Sequence, residues 1–83
     1  MRAQISNTSL GYVVEVYMES GVIYDYGRWH PIINFGDRQS DAIEFVEWHF
    51  ENLDLSFIKR RIADYDPNNL YKIEIKSGKI VKQ

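Results

Sequence analysis

The sequence predicts a small α+β domain. The expected architecture is an antiparallel sheet of about four to five strands in the order β-β-β-α-α-β-β, with one long amphipathic helix and a short second helix packed on one face. Three observations carry that expectation. Residues 12–18 (YVVEVYM) alternate β-branched and aromatic side chains and run toward Ser20-Gly21, a hairpin signal. Residues 37–52 place apolar side chains at helical spacing. Residues 70–76 (LYKIEIK) alternate again, just before Ser77-Gly78.

Residues 2–8 are β-compatible but weakly patterned and read as a short strand, with a turn over 7–11. The second strand, 12–18, offers two faces: Tyr12, Val14, Val16 and Met18 on one, Val13, Glu15 and Tyr17 on the other. Alternation alone leaves open which face is core. A two-residue turn at Ser20-Gly21 makes 22–26 (VIYDY) the return strand and sets Tyr24 across from Tyr17. Gly27 releases that strand, Pro31 disfavours helix at His30, and 32–35 forms one more short strand.

Residues 37–52 read as one continuous helix capped by Asp37 or Ser40. At 100° per residue, Ala42, Phe45, Val46, His49 and Leu53 gather on one side and Glu44, Glu47 and Glu51 on the other, with Trp48 and Phe50 at the borders. Residues 55–64 read as the second helix, capped by Asp54 or Ser56, with Leu55, Ile58, Ile62 and Tyr65 as its apolar side. Phe57 falls off that stripe, so a strand over the same residues stays open. Asp66-Pro67-Asn68-Asn69 is a turn. A two-residue turn at Ser77-Gly78 opposes Ile75 to Ile80 and Lys76 to Lys79. The expected core is Val14, Val16, Phe45, Val46, Leu53, Ile73 and Ile75.

Composition narrows the functional classes. Eighty-three residues make a single domain, 1–83, that buries roughly 64% of its unfolded surface, enough for one thin core and too little for a deep enclosed active site. The chain has no cysteine, which removes disulfides and thiolate chemistry, and with no export signal or long apolar run the expected location is the cytoplasm. His30 lies in YDYGRWHP and His49 in EWHFE, neither with metal-ligand spacing, and no phosphate loop, dinucleotide fingerprint or nucleophile elbow is present. No metal site and no cofactor is expected, and the protein reads as a non-enzyme.

Charge is segregated. The net charge of -2 divides into -1 over residues 1–36, -5 over 37–54 and +4 over 55–83. Asp41, Glu44, Glu47, Glu51 and Asp54 form an acidic stripe on the long helix, in which Glu47 and Glu51 are a like-charged i,i+4 pair with no lysine to relieve them. A solvated face accounts for such a stripe, but its single sign also fits a basic partner. Tyr17, Tyr24, Tyr26, Arg28 and Trp29 form an aromatic patch of the residue types that dominate protein interfaces. Lys59, Arg60 and Arg61 fan around their helix and do not converge on one ligand.

The functional expectation is a small protein-interaction module, an inhibitor or modulator. It would bind a basic, nucleic-acid-handling protein through the acidic helix and the aromatic hairpin. In size and acidity it is similar in type to inhibitors encoded by phages and other mobile elements, including anti-defence proteins; no motif carries that likeness. A pI near 5.6 argues against direct nucleic-acid binding. Two alternatives stand beside this reading: a sheet that stacks small ligands or single-stranded nucleic acid on its Tyr and Trp side chains, and a homodimeric structural protein.

Overall fold

The computed structural model describes residues 2–20, 25–70, 73–76 and 79–82, with the side chains of Trp48, His49 and the last two strands outside the description. It is a small α+β fold built on a three-stranded antiparallel meander. Strand β1 (Arg2–Thr8) pairs with β2 (Gly11–Met18), and β2 pairs with β3 (Arg28–Asn34), so β2 is central. A helical segment and helix α2 (Leu55–Asp64) follow. Strands β4 (Ile73–Lys76) and β5 (Lys79–Lys82) form a separate two-stranded ladder and do not extend the first sheet. Their register sets Ile75 opposite Ile80 and Lys76 opposite Lys79, as a two-residue connection requires. The Ser77-Gly78 turn and the expected burial of Ile73 and Ile75 lie outside the described residues.

The valine face of β2 is core: Val14, Val16 and Met18 are buried. Its partner strand differs from the expected one. Met18 pairs with Arg28, Tyr17 with Trp29 and Val16 with His30. The strand expected over 22–26 fails where it can be read, since Asp25 and Tyr26 are not in a strand; residues 21–24, with the Gly21 turn position and Tyr24, lie outside the described residues. A turn signal is local. Pairing β2 with 28–34 brings Ile32 and Ile33 into the core, and that burial outweighs a two-residue turn.

Pro31 fits inside β3 because the ladder is interrupted there. Val14 opposes Ile33 and Glu15 opposes Pro31, which leaves Ile32 as an extra residue in a bulge on an edge strand. A bulge on an edge tolerates the missing N–H. It also lets the consecutive Ile32 and Ile33 both bury. The Ile32 carbonyl accepts a hydrogen bond from Arg61 Nε at 3.0 Å, which pins α2 to this edge. Of the Lys59-Arg60-Arg61 cluster, Lys59 and Arg60 are exposed and Arg61 is half-buried.

The long helix is segmented. Helix α1 covers Gln39–Glu44, a π-helical turn covers Phe45–His49, and a 3-10 turn covers Phe50–Asn52. Neither Asp37 nor Ser40 caps it: the cap position is Arg38, and no side chain caps the first turn. Arg38 instead pairs with Asp41 at 3.2 Å and lies 5.4 Å over the Phe35 ring. Ala42 and Phe45 are buried as expected, and Phe45 meets Phe35 at a 5.7 Å ring separation. The extra residue of the π turn advances the later side chains by one position, so Phe50, expected at a border, packs against the core. Val46 and Leu53, expected in the core, are half-buried at its margin.

Helix α2 starts as expected. Asp54 accepts hydrogen bonds from the Phe57 N–H at 2.7 Å and the Ser56 hydroxyl at 2.9 Å. Ile58 is buried and Ile62 half-buried, but Leu55 is 40% exposed, and Phe57 packs on the core in its place. The expected turn comes next, with Asp66 accepting from the Asn68 N–H at 2.9 Å.

Candidate functional site

The helical segment from Gln39 covers the core face of the sheet. The opposite face carries the alternate residues of each strand. Cross-strand neighbours share a face, so the register builds three rows there: Arg2–Tyr17–Trp29, Gln4–Glu15–Pro31 and Ser6–Val13–Asn34.

The third row is closed over. Val13 is buried, and Asn34 donates through Nδ2 to the Pro67 carbonyl at 3.0 Å, which draws the segment after α2 across this end. Tyr65 lies in that segment; burial, then the Glu15 and Asp66 carboxylates, push its hydroxyl above the ordinary tyrosine range. The middle row is tied by Gln4 Nε2, which donates to Glu15 Oε1 at 2.9 Å.

The first row is the candidate site. Tyr17 and Trp29 meet edge-to-face, with ring centroids 5.5 Å apart and planes at 67°. The Arg2 guanidinium lies over both rings, 4.7 Å from the Tyr17 centroid and 5.7 Å from that of Trp29. Edge-to-face rings and a cation over an aromatic face are each favourable by ~0.5–1 kcal/mol, so the three side chains favour one another's positions. Tyr17 and Trp29 are half-buried and Arg2 is exposed.

Two other members of the expected patch flank this row in sequence. Tyr26 is 56% exposed. Arg28 pairs with Asp25 at 2.7 Å, and its hydrogen bond holds the Asp25 carboxyl below the ordinary range. His30 is buried and ties the same loop through a 2.6 Å hydrogen bond between Nε2 and the Asp25 carbonyl. Tyr24, the expected partner of Tyr17, lies outside the described residues; the ring opposite Tyr17 is Trp29. Arg2 escaped the sequence reading, although the turn over 7–11 carried the signal: pairing Thr8 with Gly11 forces Arg2 opposite Tyr17.

Two members of the acidic stripe have local partners. Asp41 is engaged by Arg38 and Asp54 by the α2 cap, whose hydrogen bonds from the Phe57 N–H and Ser56 hold its carboxyl below the ordinary range. Glu44 is half-buried, and Glu47 and Glu51 are exposed. Among the described residues no three His, Asp or Glu side chains are grouped as metal ligands, and no helix is long and apolar enough to cross a membrane. No protein-family model matches the chain, and no curated protein or solved structure is significantly similar to it.

Proposed function

We propose that the protein is a small non-enzymatic interaction module, an inhibitor or modulator of the phage or mobile-element kind, acting in the cytoplasm on a protein partner with a basic surface. The observation that carries the reading is the Arg2–Tyr17–Trp29 trio on the sheet face away from the helices. Arg, Tyr and Trp are the residue types on which interface energy concentrates, and rings already fixed by neighbours lose little entropy on docking. Tyr26 and Arg28 extend the contact. Glu47 and Glu51, with Glu44 beside them, supply the negative charge that steers a basic partner. What favours a protein over stacked bases is Arg2: its guanidinium covers the Tyr17 ring that a base would need.

The test is capture of partners from cell extract by the tagged protein, with and without nuclease, beside a Tyr17→Ala/Trp29→Ala variant. The expected result is a protein that stays bound after nuclease and is lost from the double variant. Capture abolished by nuclease selects the nucleic-acid reading. Capture unchanged in the double variant removes the trio as the site.

A further inference from the structure

The free backbone edge of β1 is a second surface; it borders the face that carries the trio, whose Arg2 lies on this strand. The Tyr12 N–H donates to the Gly36 carbonyl at 2.7 Å, and the Tyr12 carbonyl accepts from the Phe35 N–H at 2.9 Å. The backbone of Tyr12 therefore points away from β1, and in an antiparallel pair the hydrogen-bonding direction alternates from residue to residue. Thr8, Ser6, Gln4 and Arg2 bond to β2, while Asn7, Ile5 and Ala3 direct their N–H and C=O groups outward. Among the described residues β1 has no strand on that side, and no backbone hydrogen bond leaves it in that direction. On the opposite edge of the sheet, β3, Arg61 Nε donates to the Ile32 carbonyl and α2 packs alongside.

We propose that β1 pairs antiparallel with β1 of a second copy, about a twofold axis through Ile5, to give one continuous six-stranded sheet. A row of outward N–H and C=O groups is a template for another strand, and proteins that stay monomeric guard it with Lys, Pro, bulges or inward charges. Strand β1 (RAQISNT) has no Lys, no Pro and no bulge. The twofold register suits its sequence. Ile5 meets Ile5, and Ala3 meets Asn7, all with outward backbone groups, so these pairs exchange hydrogen bonds. Ile5 is half-buried against the core, and a strand alongside finishes covering it. The other face opposes Gln4 to Ser6 and Arg2 to Thr8. Arg2 is the only charge on the strand, and the two Arg2 side chains stand six pairs apart, roughly 20 Å. No like charges are opposed, and a twofold contact of one patch with itself closes at two copies.

Sedimentation and light scattering over a range of concentrations test this. The mass is expected to rise from 9.8 kDa toward twice that as concentration increases. Asn7→Pro removes an outward donor at an exposed position without touching a β1–β2 bond, and should raise the dissociation constant by about tenfold or more. A protein that stays monomeric throughout, or a dimer that Asn7→Pro leaves unchanged, overturns the proposal. If Asn7→Pro fails to fold, a disulfide pair decides. In the proposed ladder Gln4 and Ser6 of opposite copies are a non-hydrogen-bonded pair about 4.5 Å apart at Cα, within disulfide reach. The chain has no native cysteine. Mixed Gln4→Cys and Ser6→Cys proteins should cross-link faster with each other than either does alone; equal rates overturn the register. Tyr17→Ala/Trp29→Ala should leave the mass unchanged, which separates this edge from the trio.

Discussion

Asn34 holds three stretches of backbone at once. Its Nδ2 donates to the Leu10 and Pro67 carbonyls, at 3.2 and 3.0 Å, and its Oδ1 accepts from the Gly36 N–H at 2.8 Å. The corner closes tightly because Gly11 and Gly36 both have positive φ. A Cβ at Gly11 would stand 2.5 Å from Asn34 Oδ1 and 2.6 Å from Gly36 Cα. Asn34→Ala leaves the buried Gly36 N–H without its acceptor, and we expect a loss of about 1–3 kcal/mol in urea unfolding. Asp54 gives a prediction in pH. Its carboxyl is held low by the Phe57 N–H and Ser56. A depressed folded value stabilises above the ordinary carboxylate range, and that stability is lost as pH falls through the folded value. The melting temperature of Asp54→Asn should therefore fall less than that of the wild type between about pH 5 and about pH 2. The Asp54 cap was legible in the sequence because it is local, three residues from its donor. Asn34 was not, because two of its three partners lie 24 and 33 residues away.

At the scale of elements, local pattern located the strands at 2–8 and near 12–18 and the helix at 55–64, and it misjudged connections and helix type. Ser20-Gly21 is a sound turn signal, yet the partner of β2 is set by what the pairing buries. Likewise the apolar spacing over 37–52 marks a helix, but a wheel at a fixed angle has no place for the π turn over Phe45–His49. The error matters for side chains: it moves Phe50 inward. Phe45 precedes most of that shift and packs as the wheel predicts. Phe45→Ala should cost about 3–5 kcal/mol, since the ring is fully buried against Phe35. A loss under about 1 kcal/mol in the same unfolding experiment contradicts that packing.

At the scale of the whole molecule, one face of the sheet carries the core and the other the trio. The candidate site was legible in part. Tyr17, Tyr26, Arg28 and Trp29 were singled out by residue type, whereas Arg2 needed the β1–β2 register. Charge belongs to this scale too. Glu44, Glu47 and Glu51 lie outside the buried cluster, so changing all three to Lys should leave the protein folded, at a cost of no more than about 0.5 kcal/mol per site. The same change moves the net charge from -2 to +4. Association with a basic partner should then slow sharply, and wild-type binding should itself weaken between about 50 and about 500 mM salt. Unchanged affinity in the triple variant leaves the stripe as a solvated face and the trio as the sole contact.

The Arg61–Ile32 and Asn34–Pro67 hydrogen bonds have a bearing on how the protein comes apart. They bridge 29 and 33 positions of the chain, whereas each strand of the meander pairs with its neighbour in sequence. Helix α2 and the turn after it are thus an appendage fastened by these bonds and by Ile58, Phe57 and Ile62. Release of that appendage would leave β1, β2 and β3 paired. We expect native-state hydrogen exchange to report two units, with α2 amides opening at lower free energy than those of β2. Arg61→Ala should speed exchange in α2 and leave β2 amides untouched, whereas uniform acceleration across both would mean that the chain opens as one body.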